Sequence, residues 1–185
     1  MTITVFAMAT TGLPVPHAGP EDPNQPRMVS LSAMLISGKW EERAAFHCLI
    51  SPEGSVSAAE AEHIHGISER ERELYGMEPR LAMANLMRFF RRSEECVTFN
   101  MAFARKLIEI ELHRLNASAE DWMRGGFKKH CLLEEAGHVH NAGRIMKIAA
   151  AHEAVTGLAY DPPPKNKHMY DVRAALRVVQ GLRNG

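Results

Sequence analysis

The chain has 185 residues, and its 22 Lys and Arg balance 22 Asp and Glu, so the formal net charge is zero with His neutral. That balance excludes a basic field over the whole protein, and any nucleic-acid contact must come from a local patch. The length suits one domain with a sizeable core, and no apolar run approaches the roughly 18 residues that a membrane-spanning helix needs.

Cys48, Cys96 and Cys131 are widely spaced and lack metal-type pairing, as expected of reduced thiols in a cytoplasmic protein. The N-terminus lacks a basic region followed by an apolar stretch, so no signal peptide is expected. Thr2 to Thr10 is rich in β-branched and apolar residues and predicts a buried first strand, running into a Thr-Thr-Gly turn. Residues 14 to 27 hold five prolines, too many for a helix or a central strand. Met28 to Ser37 and Glu42 to Ile50 read as two further strands around a Gly38-Lys39 turn.

Ser57 to Glu60 and Ser68 to Glu71 both have the capping-box pattern and predict two short helices, the first ending near Gly66. Glu78 to Arg92 has apolar residues at the helical period. Glu95 to Phe99 predicts a short strand, and Asn100 a cap for a helix over Met101 to Leu115. Ser118 to Met123 predicts a helical turn, and Cys131 to Gly137 is ambiguous. Arg144 to Thr156 predicts a helix stopped by Gly157, and Lys167 or His168 to Leu182 the last one. The order of elements is an α/β pattern around a mixed sheet.

Five blocks of this sequence, in order, are similar to motifs of one enzyme family. They are Phe6-Ala-Met-Ala-Thr-Thr-Gly-Leu13, Arg27 to Ala33, Ile64-His-Gly-Ile-Ser68, Phe99-Asn-Met-Ala-Phe-Ala104 and Tyr170-Asp-Val-Arg-Ala-Ala175. Together they resemble the DEDDh 3′–5′ exonucleases, the RNase H-like family that includes the proofreading subunit of bacterial DNA polymerase III. The resemblance implies an RNase H-like mixed sheet flanked by helices, as a single exonuclease-like domain over 1–185. It also implies Mg²⁺ or Mn²⁺ as cofactor and a single-stranded DNA or RNA 3′ end as partner. In the family an Asp and a Glu on one face of the first strand, with Asp residues from two helices, hold two hard cations through oxygen. A His takes a proton from the attacking water.

The chain departs from that pattern where the chemistry is done. Ala7 stands at the position of the first Asp, Ala9 at that of the Glu and Ala104 at that of the second Asp; Asp171 alone keeps its carboxylate. Asn166 occupies the place of the His, while His168 lies three residues before Asp171 and would share its helical face. A methyl group has no lone pair, so the resemblance predicts weak or absent metal binding at Asp171 and little or no nuclease activity. Two origins for the alanines stay open: deliberate removal of the acids, or natural divergence into a binding or scaffolding module. Asn166 and Phe99, also off-pattern, are not usual choices for a designed knock-out.

By the same resemblance Thr10, Thr11, Gly12 and Leu13 flank the terminal nucleotide, with Leu13 as a wedge against the last base. His65, Asn100 and Phe103 border the substrate, and Lys165 and Lys167 contact phosphate. Plainer readings stand beside these. Ala7 and Ala9 suit an ordinary strand core, Asp171 suits a helix first turn, and His65 suits a helix end. His138 and His140 lack metal-type spacing, and Arg91-Arg92 and Lys128-Lys129 suit solvated faces. The rival functional class is a non-catalytic nucleic-acid- or protein-binding module, and a third is a small α/β protein with no nuclease ancestry.

Overall fold

The computed structural model describes residues 1–119, 122, 126–140, 146–162 and 167–184. Five strands form one sheet: β1 (Thr2–Thr10), β2 (Met28–Ser37), β3 (Glu42–Leu49), β4 (Glu95–Thr98) and β5 (Lys128–Cys131), in the spatial order β3-β2-β1-β4-β5. β1 is central. It pairs antiparallel with β2 along its whole length and parallel with β4, so the sheet is mixed. Among the described residues the helices are α1 (Ala59–His65), α2 (Glu69–Tyr75), α3 (Pro79–Phe90), α4 (Met101–Arg114), α5 (Leu132–Val139), α6 (Ile148–Thr156) and α7 (Lys167–Asn184).

Alternation along β1 sends Phe6 to the opposite face from Val5, Ala7 and Ala9. Phe6 meets the ring of Phe90 at 5.1 Å and that of Trp122 at 6.4 Å, both edge to face. Phe90 in turn stacks on Phe127 at 5.4 Å. Phe6, Phe90 and Trp122 are fully buried, and burial of each large ring stabilises the fold by about 2–3 kcal/mol. Helix α7 packs across β1, β2 and β4, and its Val172, Ala175, Val178 and Val179 are inaccessible to solvent. The site described below therefore sits where the last helix crosses the end of the central strand.

Several local expectations are met. Ser68 caps α2 through the reciprocal bonds of a capping box with Glu71. The Asn100 side chain accepts from the Phe103 N–H and caps α4. Gly66 and Gly157 close their helices in the left-handed conformation, at φ 66° and 69°, which side chains with a Cβ resist.

Others need correcting. The pattern at Ser57 to Glu60 is no capping box: Ala58 is the N-cap of α1 and makes no side-chain cap bond. The Ala58 N–H goes instead to the Thr11 carbonyl at 2.8 Å, which docks the helix start on the turn after β1. Residues 128–131, unassigned or ambiguous in the sequence, are the edge strand β5; its four residues show too short a pattern to read alone. Leu132–Val139 is helical, and α6 begins at Ile148, later than Arg144. Lys129 is no ordinary solvated lysine, since its ammonium sits 5.0 Å from the Trp122 ring and 4.7 Å from that of Phe127. Half of the turn expected over Ser118 to Met123 lies outside the described residues.

No helix among the described residues is long and apolar enough to cross a membrane. Cys48, Cys96 and Cys131 are free and buried, and burial raises the thiol of Cys48 to about 11 and that of Cys96 to about 12.

Candidate functional site

The end of β1 is shaped by backbone bonding. The β1–β2 register shifts between Ala9 and Thr10, a local irregularity that re-aims the chain at the strand end. The Thr10 hydroxyl donates to the Gly12 carbonyl at 2.5 Å, and Thr11 is tied to Arg27 by two bonds of 2.9 Å. Thr10 and Thr11 are therefore buried while Leu13, just past the turn, is 83% exposed.

A cavity of about 540 Å³ opens beside this turn. Ala9, Thr10, Gly12 and Leu13 form one side, and Ile64 and His65 of α1 a second. Phe103, Lys167 and Asp171 come from α4 and α7. Eight of the residues singled out in the sequence thus share one cavity although they lie on four separate segments. Thr11, Ala7, Asn100 and Ala104 are not among its walls. Ala7 is half-buried on the same strand face as Ala9, and Ala104 is 2% exposed beside Phe103. Lys165, Asn166 and the side chain of His168 lie outside the described residues.

Asp171 is buried and already engaged. The Lys167 ammonium donates to its Oδ2 at 2.9 Å and its Oδ1 at 3.2 Å. The Tyr160 hydroxyl donates to Oδ1 and accepts from Lys167 at 3.1 Å. Burial, then the bond to Asp171, drives the Tyr160 phenol well above its usual range, so it stays protonated. Lys167 and Asp171 are one turn apart on α7, and this i, i+4 spacing is legible in the sequence. Tyr160 was not, because it lies eleven residues before Asp171, on a segment with no periodicity relative to α7.

His65 is 3% exposed, and its Nδ1 accepts from the Ile67 N–H at 3.1 Å. A neutral ring therefore carries its proton on Nε2. Burial lowers its pKa, Glu62 raises it and Arg72 lowers it further. The Arg72 guanidinium, 1% exposed, donates to the Ile50 carbonyl at 3.1 Å and the Ser55 hydroxyl at 3.0 Å. It holds the 50–58 segment that leads into α1. His138 and His140 are exposed, and His130 Nδ1 pairs with Glu135 at 2.7 Å.

The donor set does not fit a two-metal centre. Hard divalent cations take oxygen ligands, Ala7, Ala9 and Ala104 offer none, and both oxygens of Asp171 face an ammonium. No group of three or more His, Cys, Asp and Glu gathers at one point among the described residues.

The architecture is the RNase H-like exonuclease fold, a mixed five-stranded sheet with helices packed on it. Solved structures that it matches include those of E. coli exonuclease I. One covers 99% of this chain with a TM-score of 0.78 at 15% identity. A second is a complex with a dT13 oligonucleotide, with a TM-score of 0.75 at 15% identity over 97% of this chain. A third is an ExoI/SSB-Ct complex, with a TM-score of 0.76 at 14% identity over 99% of this chain. The chain spans about 40% of the length of those exonuclease I chains. At this identity the likeness is one of fold. No family model and no curated protein matches the sequence.

Proposed function

We infer that this chain is an exonuclease-fold nucleic-acid-processing protein that binds the 3′ end of single-stranded DNA or RNA without hydrolysing it. One observation carries the reading: Leu13, His65, Phe103 and Lys167 line one cavity at the end of β1, while the positions that the resemblance gives to metal-holding acids carry methyl groups. Leu13 stands exposed at its mouth and Phe103 lines it, which suits a terminal base held against apolar surface. The oligonucleotide complex of exonuclease I supports a single strand as the ligand class. An active parent form would need Mg²⁺ or Mn²⁺; this chain, with Asp171 as its one remaining ligand, binds them weakly or not at all. We take residues 1–185 as a single module working in the cytoplasm.

The test is fluorescence anisotropy with 5′-labelled single strands, beside a gel assay for trimming in Mg²⁺ and in Mn²⁺. Binding of single strands in preference to blunt duplex, with no shortening of the strand, is the expected result. Affinity should fall with salt in proportion to the phosphates contacted. Metal-dependent trimming by the chain as it stands, or no binding at all, would overturn the reading. A second reading is a protein-docking module, favoured by the exposure of both Leu13 and Ile64 on the cavity rim. It predicts that oligonucleotides fail to bind.

A further inference from the structure

We propose that Lys167 makes the cavity a metal-independent phosphate site, with its ammonium in the place of a divalent ion and Asp171 as an internal competitor for it. This rests on the reading of the chain as a binder of nucleic-acid ends and says how the site does it. Lys167 lines the cavity and its side chain is 21% exposed, which leaves it open to a ligand. Asp171 and Tyr160 hold it from the protein side, at 2.9 Å and 3.1 Å. The Tyr160 ring also lies 5.6 Å below the ammonium, which steadies the positive charge.

The charge balance of the cavity makes Asp171 a restraint on binding. Among the described walls Lys167 contributes one positive charge, Asp171 and Glu60 two negative ones, and the rest are uncharged with His65 neutral. An incoming phosphate must therefore share the ammonium with the Asp171 carboxylate. In a metal-dependent site the carboxylate recruits the cation that binds phosphate, so removing it weakens binding. Here the cation is covalently part of the chain, and removing the carboxylate has the opposite sign.

The experiment compares the wild-type chain with Lys167→Met, Lys167→Arg and Asp171→Asn, using 5′-labelled single-stranded oligothymidylate in EDTA and again in Mg²⁺. The expected result is wild-type affinity unchanged by EDTA and about tenfold weaker binding by Lys167→Met, the size of one charge-assisted bond. Lys167→Arg keeps most of the affinity, and Asp171→Asn binds several-fold tighter than wild type. Circular dichroism melts check that each variant folds. Asp171→Asn is close to isosteric and keeps an acceptor for Tyr160, so it remains informative if Lys167→Met does not fold. Wild-type binding that requires Mg²⁺, or that is matched by every variant, overturns the proposal and leaves the reading of the chain as a binder intact. Failure of the wild-type chain to bind any strand overturns both.

Discussion

Lys167 Nζ lies 2.9 Å from Asp171 Oδ2 across one turn of α7, so this carboxylate is neutralised by its own helix. Acids placed at Ala7, Ala9 and Ala104 should therefore not by themselves create a metal centre. The triple variant Ala7→Asp, Ala9→Glu, Ala104→Asp should bind Mn²⁺ more weakly than the same variant with Lys167→Met, by about tenfold. An ammonium held close to a divalent ion repels it even under strong screening. Isothermal titration with Mn²⁺ reads the difference, and equal affinities would show that the ammonium moves aside. Metal-dependent 3′ trimming by either restored form would show that the chain is a metal-stripped exonuclease. An inert restored form would leave divergence as the account of the alanines.

Ala104 is 2% exposed, and an aspartate there must be desolvated without a metal to receive it. Ala104→Asp alone should lower stability by about 1–3 kcal/mol. Chemical denaturation measures the loss. Mn²⁺ should recover it only when Ala7→Asp and Ala9→Glu are also present.

The Phe6, Phe90 and Trp122 rings form one buried aromatic cluster. Phe90→Ala should cost about 3–5 kcal/mol. Loss of the ring packed 4.9 Å from Trp122 should also shift tryptophan emission to longer wavelength. An unfolding midpoint close to wild type would mean that the cluster repacks.

Arg72 is buried and bonded to the Ile50 carbonyl and the Ser55 hydroxyl. Arg72→Met keeps much of the stem packing and leaves those acceptors without their donor. A loss of about 2–3 kcal/mol is expected, together with faster limited proteolysis between residues 51 and 58. Proteolysis at the wild-type rate would show that the segment is held by other bonds.

Burial lowers the pKa of His47 and of His65 below the ordinary 6.5. The unfolded chain then takes up protons first, so stability is complete above pH 6.5 and falls as the pH drops through 6.5 toward the folded-state values. Denaturation series at pH 7.5 and pH 5 should show that fall, and His47→Gln with His65→Gln should flatten it. An unchanged slope in the double variant would assign the acid sensitivity to other groups.

Much of the fold was legible because local patterns and tertiary pairing agree. β1 and β2 have the ends that their β-branched runs imply, and Ser68 and Asn100 cap the helices they precede. Where one short pattern serves two structures, the sequence was silent. Lys128–Cys131 is a strand only because β4 offers its backbone a parallel partner, with Lys129 opposite Cys96. Ser57 has the residues of a capping box, yet the chain enters α1 one position later because Thr11 claims the Ala58 N–H.

From residue types alone it was already settled that the positions of Ala7, Ala9 and Ala104 supply no metal-binding oxygen, since that follows from the chemistry of a methyl group. The two-residue strand period likewise put Ala7 and Ala9 on one face. Folding decided what surrounds the remaining acid. Tyr160 reaches Asp171 because α6 packs back on α7, bringing residues eleven apart within one hydrogen bond. The cavity exists because α1, α4 and α7 meet at the end of a single strand. Contacts of that kind depend on which helices cross which strand, and no local period in the chain encodes them.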